Sequence, residues 1–155
     1  MRQQIEQLIT KYQKSLFNIA YSICQNYDDA NDVVQDTFIQ YMKSEKDFNE
    51  EEHIRAWLIT VAVNKARDIK RSFWHRNKVS LDEIGEIPFE KEEYHLLNSV
   101  MKLPEKYRIV LHLFYYEDMQ VKEIAQVLSI TESNVKTRLS RGRKLLKESL
   151  NGGRE

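Results

Sequence analysis

Apolar residues recur along most of the chain at intervals of three and four, the period of helices with one buried face. Over about Gln4 to Ser22 and just beyond, Ile5, Leu8, Ile9, Tyr12, Leu16, Ile19, Ala20 and Ile23 form one such stripe. A second helix is predicted from the acidic pair Asp28 and Asp29, which suits a helix N-terminus, to about Lys43. Its apolar face holds Ala30, Val33, Val34, Thr37, Phe38 and Tyr41, and its opposite face holds Asp32, Gln35, Asp36, Ile39 and Met42. A third helix, about His53 to Trp74, has a core stripe of Leu58, Ile59, Ala62, Ala66, Ile69 and Phe73. Across it lie Trp57, Thr60, Val61, Asn64, Arg67, Asp68 and Arg71.

The pattern resumes after a break. Leu96, Leu97, Val100, Met101 and Leu103 make a short amphipathic piece. Pro104 then opens a helix at its first turn, where a missing N–H costs nothing, with Ile109, Val110, Leu113 and Phe114 on the buried side. Val121, Ile124, Ala125 and Leu128 give one face of a further short helix. Ser129, Ile130 and Thr131 interrupt it, and Thr131 is a good N-cap for a helix that starts at Glu132. Two helices across so short a turn predict a helix-turn-helix, whose second helix normally enters a DNA major groove. In that second helix Val135, Leu139, Gly142 and Leu146 fall on one seam, where Gly142 permits close helix approach. The outward arc holds Lys136, Thr137, Ser140, Arg141, Arg143, Lys144 and Lys147.

With only four Gly and two Pro in 155 residues, long segments run uninterrupted, so the fold class expected is all-α. The 41% of apolar residues suffices for a core, and the single cysteine, Cys24, excludes an internal disulfide framework and a cysteine-based zinc cage. There is no signal-peptide-like run at the start and no stretch of about 18 apolar residues. A cytoplasmic protein with no direct membrane insertion is expected. Charge divides the chain although it sums to zero: residues 51–79 carry seven basic and three acidic groups, 80–100 one and six, and 119–155 eight and four. The acidic stretch also contains Gly85 and Pro88 and lacks an apolar period, so it reads as a flexible linker between two small helical domains, with a long loop inside one domain as the alternative. The boundaries expected are 1–78, 79–94 and 95–150.

The chemistry sits on the faces that do not fit a core. Ile39 and Met42 within an acidic frame suit a protein interface, although a solvated helix surface accounts for the carboxylates as well. Trp57 and Asn64 interleaved with Arg67 and Arg71 describe a platform for unstacked bases, and Arg76 and Lys78 extend it. The competing reading packs Trp57 and Val61 beneath another helix of the same domain. Basic side chains along the last helix can neutralise phosphates, while Ser133, Asn134 and Thr137 near its start can reach base edges.

Three stretches taken in order, DDANDVVQDTFIQYMK, RAWLITVAVNKARDIKRSFWHR and LPEKYRIVLHLFYYEDMQVKEIAQVLSITESNVKTRLSRGRKLL, resemble a bacterial extracytoplasmic-function (ECF) RNA polymerase sigma factor of the sigma-70 family. The resemblance covers nearly the whole chain. It implies a promoter-specificity subunit without enzymatic activity, built as a core-polymerase- and −10-binding domain, a linker in the RNA exit path, and a −35-binding helix-turn-helix. Asp32, Gln35, Asp36 and Ile39 match the helix that docks on the polymerase clamp. Trp57, Val61, Asn64, Arg67, Asp68 and Arg71 fall on the helix at the melted −10 element, with Asn64 placed to read or brace a flipped base. Ser133, Asn134, Lys136, Thr137, Arg138, Arg141, Arg143 and Lys144 fall on the −35 reader. Core RNA polymerase and promoter DNA are the partners implied. With no domain after Glu155, regulation is expected from a separate anti-sigma factor.

Glu132 and Ser133 add no positive charge, so the start of the reading helix is expected to use short polar contacts. The alternative to a sigma factor is an autonomous helix-turn-helix regulator that binds duplex operator DNA. An enzyme is the third reading. His53, His75, His95 and His112 lack metal-ligand spacing and no phosphate-binding glycine loop occurs, so no catalytic residue, metal, cofactor or small-molecule substrate is expected.

Overall fold

A computed structural model describes residues 4–48, 50–76 and 99–152, all of whose regular structure is α-helical. The helices belong to two compact units, one within Met1–Ile84 and one within Gly85–Glu155. The stretch 79–94, expected to be the linker, lies outside the described residues, as do Leu96, Leu97 and Lys78.

The first unit contains α1 (Ile5–Cys24), α2 (Tyr27–Lys43) and α3 (Glu51–Arg76), each packed on the other two. The predicted stripes form its core: Leu8, Leu16, Ile19 and Ile23 of α1, Ala30 and Val33 of α2, and Leu58, Ala62 and Ala66 of α3 are buried. Ile5, Ile9, Val34 and Ile69 at the stripe edges are half-buried. Two residues join α1 to α2. Gln25 turns the chain in a left-handed conformation (φ 53°), and the side chain of Asn26 accepts a hydrogen bond from the Asp29 N–H at 2.9 Å. That cap explains why α2 starts before its first carboxylate. The α3 helix begins two residues earlier than the apolar pattern indicates. Glu51 in its first turn accepts from the Tyr12 hydroxyl at 2.6 Å and pairs with Lys11, tying α3 to α1.

The second unit begins, among described residues, with helical residues 99–101, followed by α4 (Glu105–Tyr115), α5 (Val121–Leu128) and α6 (Glu132–Gly152). Pro104 is the N-cap rather than the first helical residue, and Phe114, expected on the buried side, is only half-buried. Ile109, Leu111, Leu113, Ile124, Leu128, Val135 and Leu139 are buried. The start of α5 is closed by a reciprocal cap in which Gln120 N–H donates to Glu123 Oε1 at 3.1 Å and the Gln120 side chain accepts from the Glu123 N–H. Its end is closed by Ser129 in a left-handed conformation, with the Ile130 N–H donating to Ala125 O at 3.0 Å. This 6→1 bond is the Schellman closure, built on a serine instead of the usual glycine.

Candidate functional site

The helix-turn-helix is formed by α5 and α6 as the spacing predicts. Thr131 Oγ1 accepts from the Asn134 N–H at 3.0 Å and so fixes the start of α6. Val135, Leu139 and Gly142 are buried along one seam and Leu146 is half-buried. A Cβ on Gly142 would lie 3.1 Å from Leu111 Cδ1 and 3.3 Å from Tyr107 Cβ, so the missing side chain is what lets α6 lie close on α4. With that seam fixed, Ser133, Lys136, Thr137, Ser140, Arg141, Arg143, Lys144 and Lys147 are all exposed. The result is a cationic ridge with short polar groups near its beginning.

Two of these side chains are not loose. Arg138 Nε donates to Asn134 Oδ1 at 3.1 Å, and both residues are half-buried. Because a guanidinium only donates, the Asn134 amide must turn its oxygen to Arg138, which leaves its NH2 end for a ligand. Arg143 Nε donates to the Tyr115 hydroxyl at 2.6 Å. Its guanidinium also lies over the rings of Phe114 and Tyr115, 5.4 and 5.5 Å from their centres. Sequence reasoning missed Tyr115; the only signal available was a large aromatic next to the apolar stripe at the end of a helix.

In the first unit, Asn64, Asp68 and Arg71 are exposed, whereas Trp57, Val61 and Arg67 are half-buried. Arg71 Nη2 lies 3.6 Å from Asp68 Oδ1, one turn away. The Trp57 ring sits 6.0 Å from both Tyr41 and Phe48, edge-on to the first. Trp57 is therefore partly committed to an aromatic cluster with α2, which is the competing reading of the sequence in part, and Phe48 went unremarked because it lies in no periodic segment. The side chains of 73–76 lie outside the described residues.

On α2, Asp32, Gln35 and Asp36 are exposed around Ile39 and Met42, which are 46% and 60% exposed. These exposures are high enough to make the two apolar side chains available to another molecule. Burial, with the Asp32 and Asp28 carboxylates nearby, raises the Asp29 carboxyl above its ordinary range. No group of three or more potential metal ligands occurs among the described residues. No helix among them is long and apolar enough to cross a membrane.

This geometry defines a two-unit helical protein with a helix-turn-helix in the second unit. The family model for sigma-70 region 2 matches residues 8–76, and that for sigma-70 region 4 matches residues 96–146. The RNA polymerase sigma factor SigV of Bacillus subtilis is 30% identical over 147 residues, covering 92% of this chain and 88% of that protein. The ECF RNA polymerase sigma factor SigW of the same organism is 25% identical, with 92% of this chain and 87% of that protein covered. The solved structure of the sigma factor RpoE in complex with the anti-sigma factor NepR, from Bartonella quintana, has the same fold. It aligns with a TM-score of 0.74 at 22% identity and covers 94% of this chain and 96% of that one. The chain belongs to the ECF sigma factors of the sigma-70 family. Its function is that of a promoter-specificity subunit, not of an autonomous operator-binding regulator.

Proposed function

We propose that this sigma factor divides promoter recognition between a domain at 1–78 and a domain at 95–150, joined by an acidic linker at 79–94. The observation that carries the reading is the ridge on α6, where every cation outside the packed seam is exposed except Arg138. A helix of that kind is suited to the major groove of the −35 duplex. Lys136 and Lys144 neutralise phosphates, Arg141 meets a base edge or a phosphate, Arg143 and Arg138 act from the flanks, and Ser133, Asn134 and Thr137 approach base edges. On α3, exposed Asn64 beside half-buried Trp57 and Val61 offers a hydrogen-bonding group next to an apolar wall, which suits a base taken out of its stack at the −10 element. Arg67, Asp68 and Arg71 frame it. Asp32, Gln35, Asp36 and Ile39 on α2 form the face for core polymerase.

The protein works in the bacterial cytoplasm and catalyses nothing itself. RpoE is complexed with an anti-sigma factor in the aligned structure, and a partner of that kind restrains this chain as well.

In-vitro transcription with core polymerase, with and without the chain, followed by start-site sequencing, tests the whole reading: new defined starts are expected only with the chain. On a promoter found in this way, Asn64→Ala should reduce open-complex yield in a permanganate footprint more than it reduces initial binding. Arg141→Ala should weaken duplex binding by roughly 1–3 kcal/mol if it reads a base, or lower the salt slope by about one if it contacts phosphate. Normal open-complex yield in the first variant, or no change of either kind in the second, removes that residue from its interface.

A further inference from the structure

We propose that Tyr115 and Arg143 together form a preorganised site for a single DNA backbone phosphate, with Tyr115 both positioning the guanidinium and donating its own hydroxyl proton to the phosphate. The proposal rests on α6 being the groove helix and goes beyond it by adding a residue from α4 and by assigning Arg143 to the backbone rather than to a base.

The bonding pattern leaves the right groups over. An arginine has five N–H donors, and Arg143 spends the single Nε donor on the Tyr115 oxygen at 2.6 Å. The four Nη hydrogens remain for a ligand. The tyrosine oxygen accepts in this contact, so its own O–H is still a donor. Both residues are exposed, Tyr115 by 51%. The guanidinium is held in orientation as well as in place, since it lies 5.4 Å from the centre of Phe114 and 5.5 Å from that of Tyr115, two rings set at 78° to each other. A side chain ordered before binding loses less freedom when the anion arrives. Planar, paired donation of this kind matches a phosphate's oxygens.

Position argues for phosphate over base. Arg143 lies eleven residues after Glu132, or about 16 Å along the helix axis, whereas base edges are met by the first turns of a recognition helix. It also sits close to the buried seam, only about 80° around the helix from Val135, on the flank it shares with Lys136 and Lys147. A flank of a groove-bound helix faces a phosphate strand, not the groove floor.

The test uses holoenzyme reconstituted from core polymerase and the full chain, bound to a promoter duplex in which single phosphates flanking the −35 element are replaced in turn by neutral methylphosphonate. Tyr115→Phe keeps the ring and its stacking and removes only the hydroxyl; Arg143→Ala removes the cation; Arg141→Ala reports on the rest of the ridge. Wild type should show one methylphosphonate position whose replacement weakens binding about threefold to tenfold. In Tyr115→Phe and Arg143→Ala that same position should lose less than twofold, and Arg143→Ala should lower the salt slope by about 0.9. Each protein is compared with itself on two DNAs, so partial misfolding cannot mimic the result. If Tyr115→Phe keeps the wild-type methylphosphonate profile while Arg141→Ala weakens binding, the Tyr115 contact is only a tie between α4 and α6 and the proposal fails. If Arg141→Ala and Arg143→Ala both bind as wild type does, with unchanged salt slopes, the groove reading of α6 fails and the phosphate site falls with it.

Discussion

In the first unit the buried serine and threonine hydroxyls answer to their own helices: Ser22 Oγ donates to Ile19 O at 2.6 Å and Thr37 Oγ1 to Val33 O at 2.7 Å. In the second unit the buried polar groups are ionisable. Arg108 donates to Leu103 O at 2.9 Å, but the fully buried His112 ring has no hydrogen-bond partner at either nitrogen, and its Nε2 lies 4.0 Å from Glu117 Oε1. At that distance, and without a hydrogen bond, the carboxylate does not offset the cost of a charged imidazole in an apolar setting. Burial pushes the His112 pKa down to about 4. The buried serine and threonine hydroxyls of the first unit do not titrate, whereas the second unit buries, as well as the permanently charged Arg108, an imidazole that must stay neutral.

The largest expected effect tests that contrast directly. A histidine whose pKa falls from 6.5 to about 4 on folding gives its full stability above pH 6.5. Between those values the unfolded chain takes up a proton that the folded one refuses, so stability is lost as pH falls, by roughly 3 kcal/mol in all. The shift at Asp29 has the opposite consequence. A carboxyl with a raised pKa favours the folded state as pH falls toward the ordinary aspartate range, so the start of α2 gains slightly on acidification. Amide exchange followed residue by residue at pH 7 and pH 5 should show α4 losing protection while α1 keeps it, and His112→Leu should flatten the change in α4. Equal protection of α4 at both pH values would falsify the account of His112.

The units also differ in the small residues their helices bury. The first buries Ala62 and Ala66 of α3 completely. The second uses Gly142, where even a methyl group meets Leu111 at 3.1 Å. Gly142→Val should therefore destabilise the second unit by about 2 kcal/mol, as overpacking in a tight core does. It should also weaken promoter binding, because the same seam sets the angle of the ridge. Denaturant unfolding followed by methyl NMR checks the first effect and duplex affinity the second. An unaltered unfolding midpoint for α4 and α6 would show that α6 can shift at no cost.

How much of this could be read from the residues follows from what a period encodes. The stripes through Leu8 and Leu16, through Val33 and Tyr41, and through Leu58 and Ala62 are local in sequence and were legible, as was the Thr131 cap, whose partner is three residues away. The exposed ridge from Lys136 to Lys147 followed from the same spacing. Contacts that close over long separations were not legible. The Tyr115 to Arg143 bond spans 28 residues and the Tyr12 to Glu51 bond 39, and no local pattern specifies either. Trp57 shows the boundary between the two cases: its place on the polar side of α3 was evident, but it is covered by Phe48, in a segment without periodicity, as well as by Tyr41.

The smallest effect concerns the turn that aims α6. Ser129 closes α5 at φ 57° and ψ 45°, a conformation that costs an L-residue roughly 1–2 kcal/mol and a glycine almost nothing. Gln25 makes the corresponding turn after α1 at φ 53°. Both units thus accept the same local strain at a helix end. Ser129 is exposed, so Ser129→Gly removes no packing, while glycine's greater freedom in the unfolded chain offsets part of the gain. A net stabilisation of about 0.5–1 kcal/mol is expected, seen as a higher urea midpoint at unchanged slope. Gln25 is half-buried, so Gln25→Gly also removes side-chain contacts and should stabilise the first unit less. Equal gains at the two sites would show that the Gln25 side chain contributes nothing to the first unit. If promoter affinity falls while stability rises, the serine is there to hold α6 at its angle, and the strain belongs to recognition.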